Sequence, residues 1–180
     1  MMPLDVLVGV TGGIAAYKTA GIVSRLVQSG WQVSVIMTDS AKRFAGEATF
    51  SALTGRPVCT EIFDERQFPL GAHITLAENA KLLCIAPASA NFLAKAAHGI
   101  ADDLLSTLFL SFTGPVMMAP AMNCDMWEKP AVARNVKQLR SDGVQMLDPE
   151  EGWLSCRKKG IGRMADPEKI FAAIQAVLEL

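Results

Sequence analysis

The chain has 180 residues, of which 51% are hydrophobic and 19% are charged. This composition excludes a disordered chain and predicts one folded domain, with some apolar surface buried between subunits. The 17 basic residues do not exceed the 18 acidic ones, so nucleic acid and membrane surfaces are poor partners. Every apolar stretch ends well before the roughly 18 residues that a membrane span needs.

The N-terminus and the cysteines indicate the cellular compartment. No Lys or Arg precedes Lys18, so the charged start of a secretory signal is missing. The four cysteines form neither a CxxC pair nor the spacing of a zinc site. We therefore expect free thiols, no metal and a cytoplasmic location.

Strands and helices are predicted to alternate along the chain. Apolar runs predict strands over Leu4–Val10, Trp31–Met37, Lys81–Pro87, Pro115–Ala119 and, as the last one, Val144–Leu147. Apolar periodicity and end signals predict helices over Ile14–Ser29, Glu47–Thr54, Ala90–Ala97, Asp102–Phe112 and Pro130–Arg140, a short helix near Thr38, and a C-terminal helix after Asp166 and Pro167. Residues 60–72 lack periodicity and are predicted to form a surface loop. The alternation predicts one doubly wound α/β domain over residues 1–180, with a parallel sheet covered on both faces.

In such sheets ligands bind beyond the carboxyl ends of the strands. Gly12 and Gly13 follow the first strand, where paired glycines either let the backbone approach an anion or form a tight turn that needs positive φ. Thr38 follows the second strand and could hold a flavin phosphate or ribityl group. Its neighbour Asp39 could equally bind the ribose of a nicotinamide cofactor. The glycine turn does not distinguish these cofactors.

Polar residues also follow the third and fourth strands. Ser89 and Asn91 either cap a helix, which their residue types favour, or form a polar cradle for a ring edge or a phosphate. Asn123 either binds a substrate carboxylate or forms an Asx turn.

The cysteines and histidines differ in their expected roles. Cys156 lies in a Gly-rich segment beside three basic residues, and we expect an exposed, reactive thiol on a mobile loop. Cys84 lies inside an apolar strand and is expected to be structural. His73 begins a segment and suits a neutral base, whereas His98 at a helix end is expected to compensate the helix dipole.

Taken together, these residues resemble the homo-oligomeric flavin-containing cysteine decarboxylase family. The matching segments cover nearly the whole chain in the family's order: Gly9–Lys18, Pro87–Asn91, Gly99–Thr107, Pro120–Asn123 with Met126 and Trp127, and Gly160–Met164 after Cys156. The resemblance implies a flavodoxin-like, Rossmann-like three-layer sandwich that binds FMN where the subunits of a homotrimer, or of a higher multiple of trimers, meet. The chain ends near Leu180, so we expect a single flavoprotein domain without the fused ligase domain of many relatives.

The resemblance also assigns site residues. His73 matches the family's active-site histidine, Asn123 the residue that binds the cysteine carboxylate, and Cys156 the cysteine that protonates the intermediate. Met126, in the same motif as Asn123, is expected to contact the substrate. The positions that match flavin contacts of the family are Gly12, Gly13, Ile14, Thr38, Phe44, Ser89, Ala90, Asn91, Phe92 and Ala121.

The reaction implied is FMN-dependent decarboxylation of 4′-phosphopantothenoylcysteine to 4′-phosphopantetheine in coenzyme A biosynthesis. The thiol is oxidised to a thioaldehyde, CO₂ is lost, and the resulting enethiol is reduced again. Three alternatives stay open: a peptidyl-cysteine decarboxylase, whose members lack the equivalent of Cys156; a non-enzymatic flavin-binding regulatory subunit, which usually carries acidic extensions; and a nicotinamide-dependent dehydrogenase.

Two positions depart from the family pattern. Phe92 stands where the family usually has Thr, which removes a hydroxyl contact and could change the packing of the flavin. Arg157 stands where the family usually has Gly after the reactive cysteine, so the loop is expected to be stiffer.

Overall fold

The computed structural model describes residues 5–64 and 66–179; the predicted start of the first strand at Leu4 lies outside them. The strands are β1 (Val6–Val10), β2 (Val33–Met37), β3 (Leu82–Ala88), β4 (Val116–Pro120), β5 (Gln145–Met146), β6 (Glu150–Trp153) and β7 (Lys159–Arg163). The helices are α1 (Ala16–Gln28), α2 (Glu47–Thr54), α3 (Ala72–Asn79), α4 (Ala90–His98), α5 (Leu104–Ser111), α6 (Cys124–Trp127), α7 (Pro130–Ser141) and α8 (Pro167–Leu178), with a 3₁₀ helix over Ala41–Arg43.

Strands β1 to β5 form a parallel sheet in the order β2-β1-β3-β4-β5. Every residue of β1, β2 and β3 is buried, as expected when helices cover both faces. One apolar core joins the sheet to α1, α2 and α8, and the other joins it to α3, α4, α5 and α7. The predicted three-layer α/β fold is therefore confirmed, and its strand order reverses between β1 and β3.

Local end signals predicted several boundaries correctly. Helix α2 ends at Gly55, whose φ of 66° lies in the left-handed region. Helix α8 begins with Pro167, and the Asp166 carboxylate accepts a hydrogen bond from the Glu168 N–H at 2.9 Å. Within the described residues, no helix is long and apolar enough to cross a bilayer.

The structure differs from prediction in two segments. Helix α3 covers residues for which no helix was predicted, because only Ala72 and Leu76 of its eight residues are buried and the apolar repeat is too short to recognise. The strand over residues 144–147 is not the last one, since β6 and β7 follow it as an antiparallel hairpin.

The hairpin also replaces the mobile Gly-rich loop that was predicted around Cys156. Its glycines permit close packing on the segment after β4: a Cβ on Gly160 would lie 2.9 Å from the Cys124 Cβ, and one on Gly162 would overlap the Met122 carbonyl oxygen. The Met122 N–H donates to the Gly162 carbonyl oxygen at 3.0 Å. Close approach, rather than mobility, is the reason for these glycines.

Candidate active site

Two adjoining cavities lie at the carboxyl ends of the strands, around the point where the strand order reverses. The first cavity, of about 380 Å³, is lined by residues 12–15, 17–18, 89–90, 121–123, 126, 153–156 and 162–164. The second cavity, of about 500 Å³, is lined by residues 11, 37–40, 60–63, 89, 91–92, 95 and 102–105. Ser89 lines both. This is where a doubly wound sheet binds its ligands.

Two buried threonines fix the turn after β1 to the turn after β3. The Thr11 hydroxyl donates to the Pro87 carbonyl oxygen at 2.7 Å and accepts from the Ser89 N–H at 2.8 Å. The Thr19 hydroxyl, on α1, donates to the Ala86 carbonyl oxygen at 2.7 Å. These bonds satisfy buried carbonyl groups, and they hold the edges of both cavities in place.

The two glycines after β1 serve different purposes. Neither has a positive φ, so the interpretation as a turn that requires positive φ is wrong. A Cβ on Gly12 would lie 2.5 Å from the Ser40 Oγ, so the approach of residue 40 requires glycine there. A Cβ on Gly13 would meet nothing within 4 Å. Gly13 therefore leaves open space at the wall of the first cavity.

The segment after β3 caps a helix, as its composition favoured. The Ser89 side chain accepts a hydrogen bond from the Phe92 N–H at 3.2 Å, while Ala90 and Asn91 begin α4. Phe92 is 1% exposed and packs edge-to-face on Phe109, with ring centroids 6.4 Å apart. Where the family usually has a hydroxyl, this chain has a core aromatic ring.

The second cavity is polar and mainly acidic. Thr38 and Ser40 share a hydrogen bond of 3.1 Å between their hydroxyl groups. Burial opposes the charge of Lys95, but hydrogen bonds to Asp102 and Asp103, at 2.6 and 2.9 Å, raise the pKa of the Lys95 ammonium. One basic group is therefore already held between two carboxylates.

Asn123 begins α6 and forms the Asx turn that was its alternative interpretation. Its Oδ1 accepts a hydrogen bond from the Asp125 N–H at 2.6 Å, which fixes the orientation of the amide. Met126, one turn later, is 44% exposed and lines the first cavity together with Asn123. Because the Oδ1 is occupied, the amide N–H groups are the part of Asn123 that is available to a carboxylate.

Cys156 lies at the tip of the β6–β7 hairpin and lines the first cavity. Its exposure was predicted and is confirmed. The tip is joined to α6 by an ion pair of 2.6 Å between the Lys158 Nζ and the Asp125 Oδ2, and this ammonium lowers the pKa of the Asp125 carboxyl.

The other three thiols are buried. Burial raises the pKa of Cys59 to about 11 and that of Cys84 to about 12, so neither supplies a thiolate near neutral pH. Cys124 is packed beneath Gly160.

Arg157 has a φ of 62°, the left-handed conformation that favours glycine. Because the left-handed region costs a residue with a Cβ roughly 1–2 kcal/mol, we expect Arg157→Gly to raise the free energy of unfolding by up to about 1 kcal/mol after the greater chain entropy of glycine is subtracted. Denaturant titration measures this change. Arg157→Ala removes the same guanidinium and keeps the Cβ, so equal stability of the two variants would contradict the conformational explanation.

His73 is the second residue of α3. This helix packs, together with α5, on one face of the sheet. A Cβ on Gly71 would lie 3.3 Å from the His73 Cε1, so the imidazole lies against residue 71. Its buried Nδ1 has no hydrogen-bond partner among the described residues. The side chain lines neither cavity of the single chain.

The structure thus separates the predicted site residues into three groups. The first cavity contains Gly12, Gly13, Ile14, Ser89, Ala90, Ala121, Asn123, Met126 and Cys156. The second contains Thr38, Asn91 and Phe92, together with the shared Ser89. Phe44, which is 48% exposed, and His73 line neither.

Sequence reasoning missed several residues that line the first cavity. Tyr17 and Lys18 follow the glycine turn within a matching motif, and their position in the first turn of α1 was the available signal. Trp153 and Arg163 belong to the hairpin that was not predicted. Arg163 lies within the matching segment Gly160–Met164, but the approach of both residues to the cavity depends on tertiary packing.

Comparisons with known proteins agree with this fold. A profile of the Flavoprotein family matches residues 2–179. The chain belongs to this family. It is 48% identical over 166 residues to the coenzyme A biosynthesis bifunctional protein CoaBC of Bacillus subtilis, a match that covers 92% of this chain and 41% of that relative. This flavoprotein chain therefore spans less than half the length of that relative.

Two solved structures resemble this flavoprotein along its whole length. The FMN-dependent cysteine decarboxylase SpaF is 35% identical, with a TM-score of 0.83 and coverage of 98% of this chain and 96% of SpaF. A PPC decarboxylase, in a cysteine-to-serine mutant complexed with pantothenoylaminoethenethiol, is 28% identical, with a TM-score of 0.89 and coverage of 99% and 100%.

Proposed function

We propose that this chain, acting as one flavoprotein domain over residues 1–180, uses FMN to decarboxylate 4′-phosphopantothenoylcysteine to 4′-phosphopantetheine in coenzyme A biosynthesis. The observation that carries the proposal is the first cavity, which the glycine turn, Asn123 and the exposed Cys156 all line, at the reversal of strand order. The similarity to CoaBC and to a PPC decarboxylase supports the same substrate. We also propose that the protein acts in the cytoplasm.

The residues around the two cavities fit a flavin mononucleotide. Gly13 leaves space for a ligand in the first cavity, Thr38 offers a hydroxyl group to a ligand in the second, and Ser89 offers one to a ligand in either. When bound, FMN accepts the electrons of the substrate thiol and later returns them. The protein has to orient the substrate and handle the protons.

Asn123 binds the carboxylate that will leave as CO₂. Its Oδ1 is held by the Asp125 N–H, so its N–H groups donate to the carboxylate. The carboxylate loses its negative charge as CO₂ leaves. A cation bound to it would stabilise the substrate more than the transition state and would slow the step. A neutral amide avoids this effect.

Cys156 supplies the proton for the last step. The enethiol takes up a proton at carbon while its neighbour carbon is reduced, and an acid must lie within hydrogen-bond reach. The hairpin tip brings an exposed thiol to the cavity wall, and the ion pair between Lys158 and Asp125 holds that tip against α6.

His73 acts on the substrate thiol from a neighbouring subunit of a homotrimer, or of a higher multiple of trimers. Two observations support this assembly. His73 lines neither cavity of its own chain. Large apolar side chains stay exposed around the first cavity, among them Ile14, Tyr17 and Trp153 at 56%, 61% and 70%, as at a surface that meets another subunit.

The alternative is decarboxylation of a cysteine within a peptide. The structure of EpiD complexed with the substrate peptide DSYTC, which is 25% identical to this chain with a TM-score of 0.80, keeps this candidate. Cys156 distinguishes the two, because a cycle that ends at the unreduced enethiol does not need an acid at this position. Its presence at the cavity favours the full cycle.

Binding of FMN is tested with a variant whose side chain fills the space beside residue 13. Wild-type protein is expected to take up one FMN per chain with a flavin absorption spectrum, and Gly13→Leu is expected to fold normally but lose it, because the new side chain enters open space. Gly21→Leu is the matched control, since a Cβ on Gly21 also meets nothing within 4 Å and lies outside both cavities. Wild-type protein that stays colourless after addition of FMN would refute the proposal.

A further inference from the structure

We propose that Lys18 and Arg163 form a phosphomonoester-binding pair on the wall of the first cavity. This inference rests on the proposed function, which brings two ligands with one phosphomonoester each: FMN and the 4′-phosphorylated substrate. The pair recognises the chemistry that both share, a dianionic phosphate of about −1.5 to −2 charges at neutral pH.

The two cavities differ in charge. Among the described residues that line the first cavity, Lys18 and Arg163 are basic and none is acidic. The second cavity is lined by four carboxylates and by Lys95, which two of those carboxylates already bind. Lys42 forms an ion pair of 2.8 Å with a third carboxylate, that of Asp39. The net charge around the second cavity stays negative. A phosphate is repelled from the second cavity and attracted to the first.

Lys18 is a cation without another assignment. It lies in the first turn of α1, shortly after the glycine turn, and is partly buried. Across residues 5–64 and 66–179, its ammonium forms no ion pair. A lysine without an ion pair is usually solvated, but this one lines a cavity that a second cation, Arg163, also lines.

Arg163 is held in position by its neighbours. Its Nη2 donates to the Glu150 Oε2 at 2.9 Å, and Lys169 binds the other oxygen of Glu150 at 2.7 Å. Gly152, opposite on the hairpin, leaves room for the arginine, since a Cβ there would lie 3.1 Å from its Nε. The guanidinium of arginine has five N–H donors, and the ion pair with Glu150 does not use all of them. The remaining donors are available to a phosphate.

The test compares ligands with and without phosphate in Lys18→Gln and Arg163→Gln. Titration of flavin-free protein compares the affinities for FMN and for riboflavin. Steady-state turnover compares the Michaelis constants for the phosphorylated substrate and for pantothenoylcysteine, which lacks the phosphate. Lys137→Gln and Arg134→Gln, on the exposed face of α7, are matched controls. Arg163→Lys keeps the charge in case Arg163→Gln weakens folding.

We expect each glutamine variant to weaken one phosphorylated ligand about tenfold or more, as the loss of a charge-assisted hydrogen bond implies, and to leave its unphosphorylated counterpart unchanged. An effect on FMN assigns the pair to the cofactor phosphate, and an effect on the Michaelis constant assigns it to the phosphate of the substrate. Equal effects with and without phosphate, or none, overturn the inference. Failure of the proposed function is distinct, since wild-type protein would then bind no FMN or release no CO₂.

Discussion

Cys156→Ser is expected to release a product two hydrogen atoms lighter than 4′-phosphopantetheine. Oxidation of the substrate thiol and loss of CO₂ precede the step in which the enethiol is protonated, so removal of the acid leaves both intact. The hydroxyl of serine is a far weaker acid than a thiol, and saturated product is expected to fall by about two orders of magnitude or more.

Mass spectrometry of the products, alongside measurement of CO₂, separates the two halves of the cycle. Cys59→Ser is the matched control: that thiol is buried and lines neither cavity, so product composition is expected to stay that of the wild type. If Cys156→Ser delivered saturated product at the wild-type rate, the acid would have to be another group.

His73→Asn is expected to abolish turnover, and a mixture of His73→Asn with Cys156→Ser chains to restore part of it. Each variant alone lacks one group at every site. If the two groups come from different subunits, random 1:1 assembly gives about a quarter of all sites both intact groups, since each is supplied intact with a probability of about one half, and selection of mixed trimers raises this share to about a third. If both groups came from one chain, no site in the mixture would be complete.

Coexpression of two differently tagged chains, followed by purification through both tags, tests this prediction with saturated product as the readout. A control mixture pairs wild-type chains with chains that carry both substitutions, and it shows that mixed oligomers retain activity. Activity in the control but none in the test mixture would place His73 and Cys156 in one subunit and contradict the shared site.

The sheet was predictable because its strands are continuous apolar runs in a chain of alternating elements. The carboxyl end of a parallel strand positions whatever follows it, so Gly12, Ser89 and Asn123 could be assigned to one edge of the sheet without coordinates. Helix ends such as Asp166 and Gly55 were predictable for the same reason, since cap chemistry is local.

What the sequence could not provide depends on contacts between distant segments. The strand Glu150–Trp153 has no alternation of apolar residues, and its partner strand contains two glycines, so the pair resembled a loop. The glycines are explained only by their packing on Met122 and Cys124. The need for glycine at position 12 likewise comes from Ser40, which is far away in the chain.

Incubation of the purified FMN-loaded protein with 4′-phosphopantothenoylcysteine, without oxygen and with both products measured by mass spectrometry, tests the central claim most directly. The proposed cycle oxidises and then reduces the same substrate, so we expect one CO₂ for each 4′-phosphopantetheine, with no net oxidation and no added electron donor or acceptor. A product two hydrogen atoms lighter from the wild-type protein, or FMN-loaded protein that releases no CO₂, would contradict it.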